Sequence, residues 1–313
     1  MNTTTNGPNA DPASDTAPGR RIGGHVSAAG GAHKAVERAA AIGANCVQIF
    51  SGSPRGWKRK PIEELDAEAV AHACAAHGVT PVITHALYLI NLVSEDPALV
   101  EKSMDALRYD MRFDALLGGS GVVVHLGSHQ GRGWEAVRGV LRDRISTILT
   151  DAPAGSHFLI ENSAGQNGKL SSDLAEIRIL LDEIASPALG WCFDTCHGHA
   201  AGFHLGDPAG HGNTPVGPKD ARDSGSAIAE IERLNLWDEL ICIHVNDSRD
   251  ERGSGRDRHA DIGDGLIDPK DLSYFLNYEA LTHLPIILEV PGVEGEGPDK
   301  ENIERVRRIV GEE

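Results

Sequence analysis

The chain has 313 residues, 40% of them apolar and only 4% aromatic, with a formal net charge of −17. No stretch approaches the roughly 18 apolar residues that a membrane-spanning helix needs, so such a helix is excluded. Read on its own, the acidic balance also argues against a nucleic-acid partner, unless metal cations gather the carboxylates and the basic residues are bunched.

The first twenty residues, "MNTTTNGPNADPASDTAPGR", are polar and fit neither a signal peptide nor an Arg-rich transit peptide, so a disordered tail is expected. Residues 21–313 read as one domain. Five cysteines, an odd number set mostly in apolar segments, suggest buried thiols and a reducing, cytoplasmic setting. Short β-rich segments then alternate with amphipathic ones. Strands are predicted near Ile22–His25, Cys46–Phe50, Val82–Thr84, Val122–His125, Phe158–Glu161, Gly190–Asp194, Leu240–Val245 and Ile286–Glu289. Segments such as "IEELDAEAVAHACAAHG", with a stop at Gly78, and "LAEIRILLDEIA" supply the helices between them. No Gly-x-Gly-x-x-Gly fingerprint follows a strand, which disfavours a doubly wound sheet. Eight βα units predict an α/β fold, a single (β/α)8 TIM barrel with its active site at the C-terminal rim of the strands.

The loop after the second strand, "SGSPRGWKRK", bunches Arg55, Lys58, Arg59 and Lys60 beside Trp57. The next six strands end in an imidazole or a carboxylate: His85, His125, Glu161, Asp194, His244 and Glu289. One such residue is more often structural than a ligand. Six on one low-dielectric rim would leave charges unpaired unless a cation gathered them, and a mixed His and carboxylate set suits zinc, manganese or iron. In "GWCFDTCHGHAAG", strand alternation places Cys192 deeper than Asp194, and Cys196 reads as a packing residue; without a Cys-x-x-Cys pair, a cysteine finger is disfavoured. His197 lies at the start of the following segment. Asp257 and His259 flank Arg258 in the loop after the seventh strand, and an extended backbone there would let them share one ion with His197. His25, His129, His157, His199 and His204 read as structural histidines.

Together "HVSAAGG", "THALYLINL", "IENSAGQ", "DTCHGHAAG", "HVNDS" and "DRHADIGDG" resemble, in order and over nearly the whole chain from Arg21, the endonuclease IV family of apurinic/apyrimidinic endonucleases. The resemblance implies three zinc ions per chain, partly replaceable by manganese or iron, and incision of double-stranded DNA on the 5′ side of an abasic site. It assigns His85, His125 and Glu161 to one ion, Glu161, Asp194, His244 and Glu289 to a second, and His197, Asp257 and His259 to the third. Glu161 and Glu289 then take catalytic roles around a shared, activated water. Arg55 and Tyr88 would enter the minor groove and hold the lesion, with Trp57, Lys58, Arg59 and Lys60 alongside. The products implied are a 3′-hydroxyl and a 5′-deoxyribose phosphate, and the enzyme is expected to act as a monomer. The chain departs from the family after "AGQ", where Asn167, Gly168 and Lys169 replace a common Gly-Ser-Asn, and in "HLGDPAGHGNTPVGPKDARDSG".

Two other readings share these residues. A sugar isomerase or epimerase of the xylose-isomerase-like barrels also gathers His, Glu and Asp around metal at strand ends, but does not call for Asp257, His259 or the basic loop. A non-catalytic, zinc-dependent abasic-site binder would need the same residues without the chemistry.

Overall fold

Eight parallel strands close into a barrel: β1 (Ile22–His25), β2 (Cys46–Phe50), β3 (Val82–His85), β4 (Val122–Val124), β5 (Phe158–Glu161), β6 (Leu189–Asp194), β7 (Leu240–His244) and β8 (Ile286–Leu288). Each strand pairs with its neighbours in chain order, and β1 pairs with β8 to complete the circle. The computed structural model describes residues 19–210 and 223–312. The predicted N-terminal tail lies almost wholly outside the described residues, as does most of the variable segment after His204. The predicted strands agree with the observed ones to within a residue at each end. No helix among the described residues is long and apolar enough to cross a membrane.

Helices α1 (Ala32–Ala41), α2 (Ala67–His77), α3 (Pro97–Leu116), α4 (Trp134–Thr150) and α5 (Leu174–Ile184) connect the first six strands. Side-chain caps set several of their starts. Asp66, Asp96 and Asp173 each accept a hydrogen bond from a free first-turn amide, and α3 also has Pro97 at its first position. Each helix lays its apolar stripe on the outer face of the barrel, as Val137, Leu141, Ile145 and Ile148 of α4 do.

Inside the barrel, Cys46, Ile83, Val123, Leu159, Cys192, Cys242 and Ile287 form a separate apolar ring with one member from each of seven strands. The eighth strand supplies Gly23. A Cβ there would sit 2.0 Å from the Cys46 carbonyl oxygen, so only glycine lets β1 approach β2 at that level. This ring is the floor beneath the site.

One buried carboxyl outside the site makes the fold pH-sensitive. Asp114 of α3 accepts the Thr84 hydroxyl at 2.7 Å, tying the helix to β3, and burial pushes its carboxyl up to about 7. A carboxyl raised in the folded state gives its full stability below the unfolded pKa of about 3.9, and that contribution is lost as the pH climbs through about 7. The thermal midpoint of Asp114→Asn relative to wild type should therefore improve between pH 5 and pH 8. A difference that stays constant across that range would show that Asp114 is not the titrating group.

Candidate metal centre

Strand alternation carries the ring upward. Two positions beyond each member of the apolar ring stands a polar side chain: His25, Gln48, His85, His125, Glu161, Asp194, His244 and Glu289. All eight strands contribute, where six were expected.

Glu161, buried at the end of β5, is the hub. Its Oε2 lies 3.3 Å from His85 Nε2 and 3.2 Å from His125 Nε2, and its Oε1 lies 3.1 Å from His244 Nδ1 and 3.3 Å from His197 Nδ1. Glu289 Oε2 stands 3.4 Å from His244 Nδ1. Suitable ligand atoms of His85, His125 and Glu161 fall within 4.8 Å of one another, as do those of Glu161, Asp194, His244 and Glu289. These are the first two expected ligand sets.

The third set comes from loops. Asp194 caps the short helix α6 (Thr195–Ala201) by accepting the His197 amide at 2.8 Å, and this first turn brings the His197 ring over the rim. Thr195 ties α6 to the end of β7 through the Asn246 carbonyl, and Gly198 leaves room for Phe193, whose ring would lie 2.6 Å from an added Cβ. The expected extended backbone is present beyond β7: His259 and Ala260 pair antiparallel with Ser248 and Asp247. Asp257 Oδ1 consequently lies 3.1 Å from His197 Nε2 and 3.4 Å from His259 Nε2. Asp194 faces this set as well, with Oδ2 3.8 Å from His259 Nε2.

The outer ring nitrogens show how the imidazoles are aimed. His85 Nδ1 faces the Ala86 carbonyl at 2.6 Å, His244 Nε2 faces Gln48 Oε1 at 2.8 Å, and His259 Nδ1 faces the Glu289 carbonyl at 3.2 Å. Each donates its N–H outward and so turns its other ring nitrogen toward the carboxylates, the orientation in which second-sphere contacts hold a metal ligand. His85 Nε2, His259 Nε2 and Glu161 Oε2 are buried and have no hydrogen-bond partner among the described residues. Buried polar atoms left open in this way fit a site built around cations.

Electrostatics agree. Burial pulls the His197 and His244 imidazoles down, yet Asp194 and Asp257 around the first, and Glu289 and Glu161 around the second, raise both well above the ordinary imidazole range. Burial would raise Glu161, but His125 and His244 hold it well below the usual carboxylate range. The pocket demands positive charge.

Four residues support the ligands: His25, read from the sequence as a structural histidine, and Gln48, Asn162 and Asn246, which sequence reasoning passed over. His25 Nδ1 lies 3.0 Å from Glu289 Oε1, and Gln48 Nε2 donates to the same oxygen at 2.7 Å. Asn162 and Asn246 brace the rim: Asn162 Oδ1 accepts the Asp194 amide, while Asn246 donates to Asp194 Oδ2 and accepts the Glu289 amide. The period-two ring was the available signal for His25 and Gln48. Cys192 and Cys196 are both fully buried; Cys192 Sγ lies in the floor, 3.3 Å from Cys242 Sγ.

On the loop after β2, Arg55, Lys58 and Lys60 are exposed and Trp57 is half-buried against the core. Tyr88 is 54% exposed and its ring stands 5.6 Å from that of His85. Arg59 departs from the expected outward display: its side chain is 9% exposed, with Nε 3.6 Å from buried Asp110 and Nη1 donating to the Gly56 carbonyl. It fastens the loop to α3.

A closed parallel barrel with candidate metal ligands around its rim is the architecture of the xylose isomerase-like TIM barrels, and the model of that family matches residues 36–309. The chain is 36% identical to a probable endonuclease 4 of Haloarcula marismortui over 93% of this chain and 99% of that one. It superposes on the crystal structure of endonuclease IV from Thermus thermophilus with a TM-score of 0.77 and 32% identity, covering 94% of this chain and all of the other. An Escherichia coli 3-keto-D-glucoside 4-epimerase shares the fold alone, at TM-score 0.62 and 12% identity, over 93% of this chain and 98% of that one. The chain belongs to the endonuclease IV family.

Proposed function

We propose that the protein is a zinc-dependent DNA-repair endonuclease that hydrolyses the phosphodiester 5′ to an abasic site, leaving a 3′-hydroxyl and a 5′-deoxyribose phosphate. The observation that carries this reading is the convergence of three donor sets on Glu161 and Asp194. His85, His125 and Glu161 would hold one ion, Glu161, Asp194, His244 and Glu289 a second, and His197, Asp257 and His259 a third. Bound there, zinc supplies Lewis acidity toward phosphate oxygens and a water that ionises near neutral pH.

The chain's own residues do the rest. Glu161 spreads one negative charge over two donor sets and fixes their spacing. Glu289, oriented by His25 and Gln48, completes the second set from the strand next to that of His244. Arg55 and Tyr88 flank the rim as the groups that meet the lesion, and extruding an abasic nucleotide is cheap because its base pairing and stacking are already lost. Lys58 and Lys60 give an otherwise acidic molecule a local cationic edge for the DNA backbone.

The test is incision of a duplex carrying one abasic site, with end-group analysis. A polymerase-extendable 3′-hydroxyl is expected. An unsaturated aldehyde end would indicate a Schiff-base lyase, and an intact strand with turnover of a ketose would indicate the isomerase reading. Replacing both Lys58 and Lys60 by alanine should flatten the slope of log affinity against log salt by about one unit per lost contact, about two in all. An unchanged slope would mean that the two lysines touch no phosphate.

A further inference from the structure

Lys169 follows the turn at Gln166–Gly168, and the structure gives it a fixed place beside the candidate metal ligands. Its segment is zipped to the loop after β4. Leu170 N donates to the Gly127 carbonyl at 3.1 Å, His129 N to the Gly168 carbonyl at 3.0 Å, and Ser128 Oγ to the Asn167 carbonyl at 2.6 Å. The backbone is therefore held while the side chain remains about one-third exposed, with Nζ 3.6 Å from Asp257 Oδ2. That oxygen is the outer one; His197 and His259 face Oδ1.

Lys169 also lines a cavity of about 310 Å³ together with Tyr88, His125, Ser163 and Asp257. Ser163 is 4% exposed, and its buried Oγ has no hydrogen-bond partner among the described residues. An unpaired hydroxyl donor and a loosely paired ammonium thus line one small cavity, bordered by a residue of the first donor set and one of the third. An ammonium at a point of entry recognises a single charged oxygen, and a hydroxyl adds a second donor to the same group.

We infer that Lys169 Nζ and Ser163 Oγ form a subsite for a non-bridging oxygen of a DNA phosphodiester adjoining the abasic nucleotide. This rests on the nuclease reading above. On entry of the strand the ammonium exchanges its long contact with Asp257 for the phosphate, while Asp257 keeps Oδ1 on His197 and His259. No bond is made or broken by either residue. They bind and orient the strand.

The test uses zinc-loaded protein and a nicked product duplex whose 5′ end carries a tetrahydrofuran phosphate, with affinity read by fluorescence anisotropy. Lys169→Met should bind about tenfold more weakly, with a salt slope shallower by about one, since a charge-assisted phosphate contact is lost. Ser163→Ala should show a smaller loss, Lys169→Arg should retain most of the affinity, and zinc content should be unchanged in all three. Methylphosphonates placed one at a time locate the partner: at the contacted position wild type weakens and Lys169→Met loses no more. Equal affinity and slope for wild type and Lys169→Met would overturn the subsite. So would loss of zinc from Lys169→Met, which would make the residue a support for Asp257. Failure of wild type to incise an intact abasic duplex would instead overturn the nuclease reading.

Discussion

Glu161→Gln is expected to slow single-turnover incision by roughly 10³-fold or more and to lower bound zinc, because the substitution strikes two donor sets at once. Each carboxylate oxygen of Glu161 faces two imidazole nitrogens, His85 and His125 on one side, His244 and His197 on the other. An amide keeps the shape but removes the charge, and its NH2 end has no lone pair to offer a cation held by His85 and His125 on one side or by His244 on the other. Either orientation of the amide leaves one of the two donor sets without its Glu161 oxygen. Zinc per chain by atomic emission and incision with enzyme in excess would measure both effects, with circular dichroism as the check on folding. Full zinc content together with the wild-type rate would refute the hub role.

His259→Ala should be milder and more selective: a rate loss of about 10²–10³-fold, the scale of removing one transition-state stabiliser, with two zincs retained. His259 reaches the centre through Nε2 alone, 3.4 Å from Asp257 and 3.8 Å from Asp194, and takes no part in the contacts around Glu161. Affinity for abasic DNA should persist, since Arg55, Tyr88, Lys58 and Lys60 lie on other loops. Loss of every zinc, or no loss of rate, would mean that the sets do not divide as proposed. Asp194 is the reason to measure metal content directly, because it borders both the second and third sets.

Much of this was legible from the sequence for a physical reason. A parallel strand buried on both faces is a short apolar run, and a charged residue at its end has few structural excuses, so "VVVH", "FLIE" and "CIH" identify both the strand and its rim. Asp257 and His259 were legible because a D-x-H tripeptide in extended backbone has one geometry. Other parts were not. Gln48 is no metal ligand, and only closure of the barrel brings it against Glu289 and His244. His25 ends a four-residue strand half of which is glycine, and a lone histidine at a strand end reads as structural. Arg59 sits in a run of three basic residues, and nothing local distinguishes the one turned toward Asp110.

The two stacked rings inside the barrel divide the labour of inheritance. The lower ring, from Gly23 to Ile287, is apolar and sterically exacting, so changes there threaten closure of the sheet. The upper ring begins only two residues later on every strand but rests on that finished floor, and its members can be exchanged without repacking what lies below. A lineage can therefore revise its chemistry one strand tip at a time while folding stays under separate control.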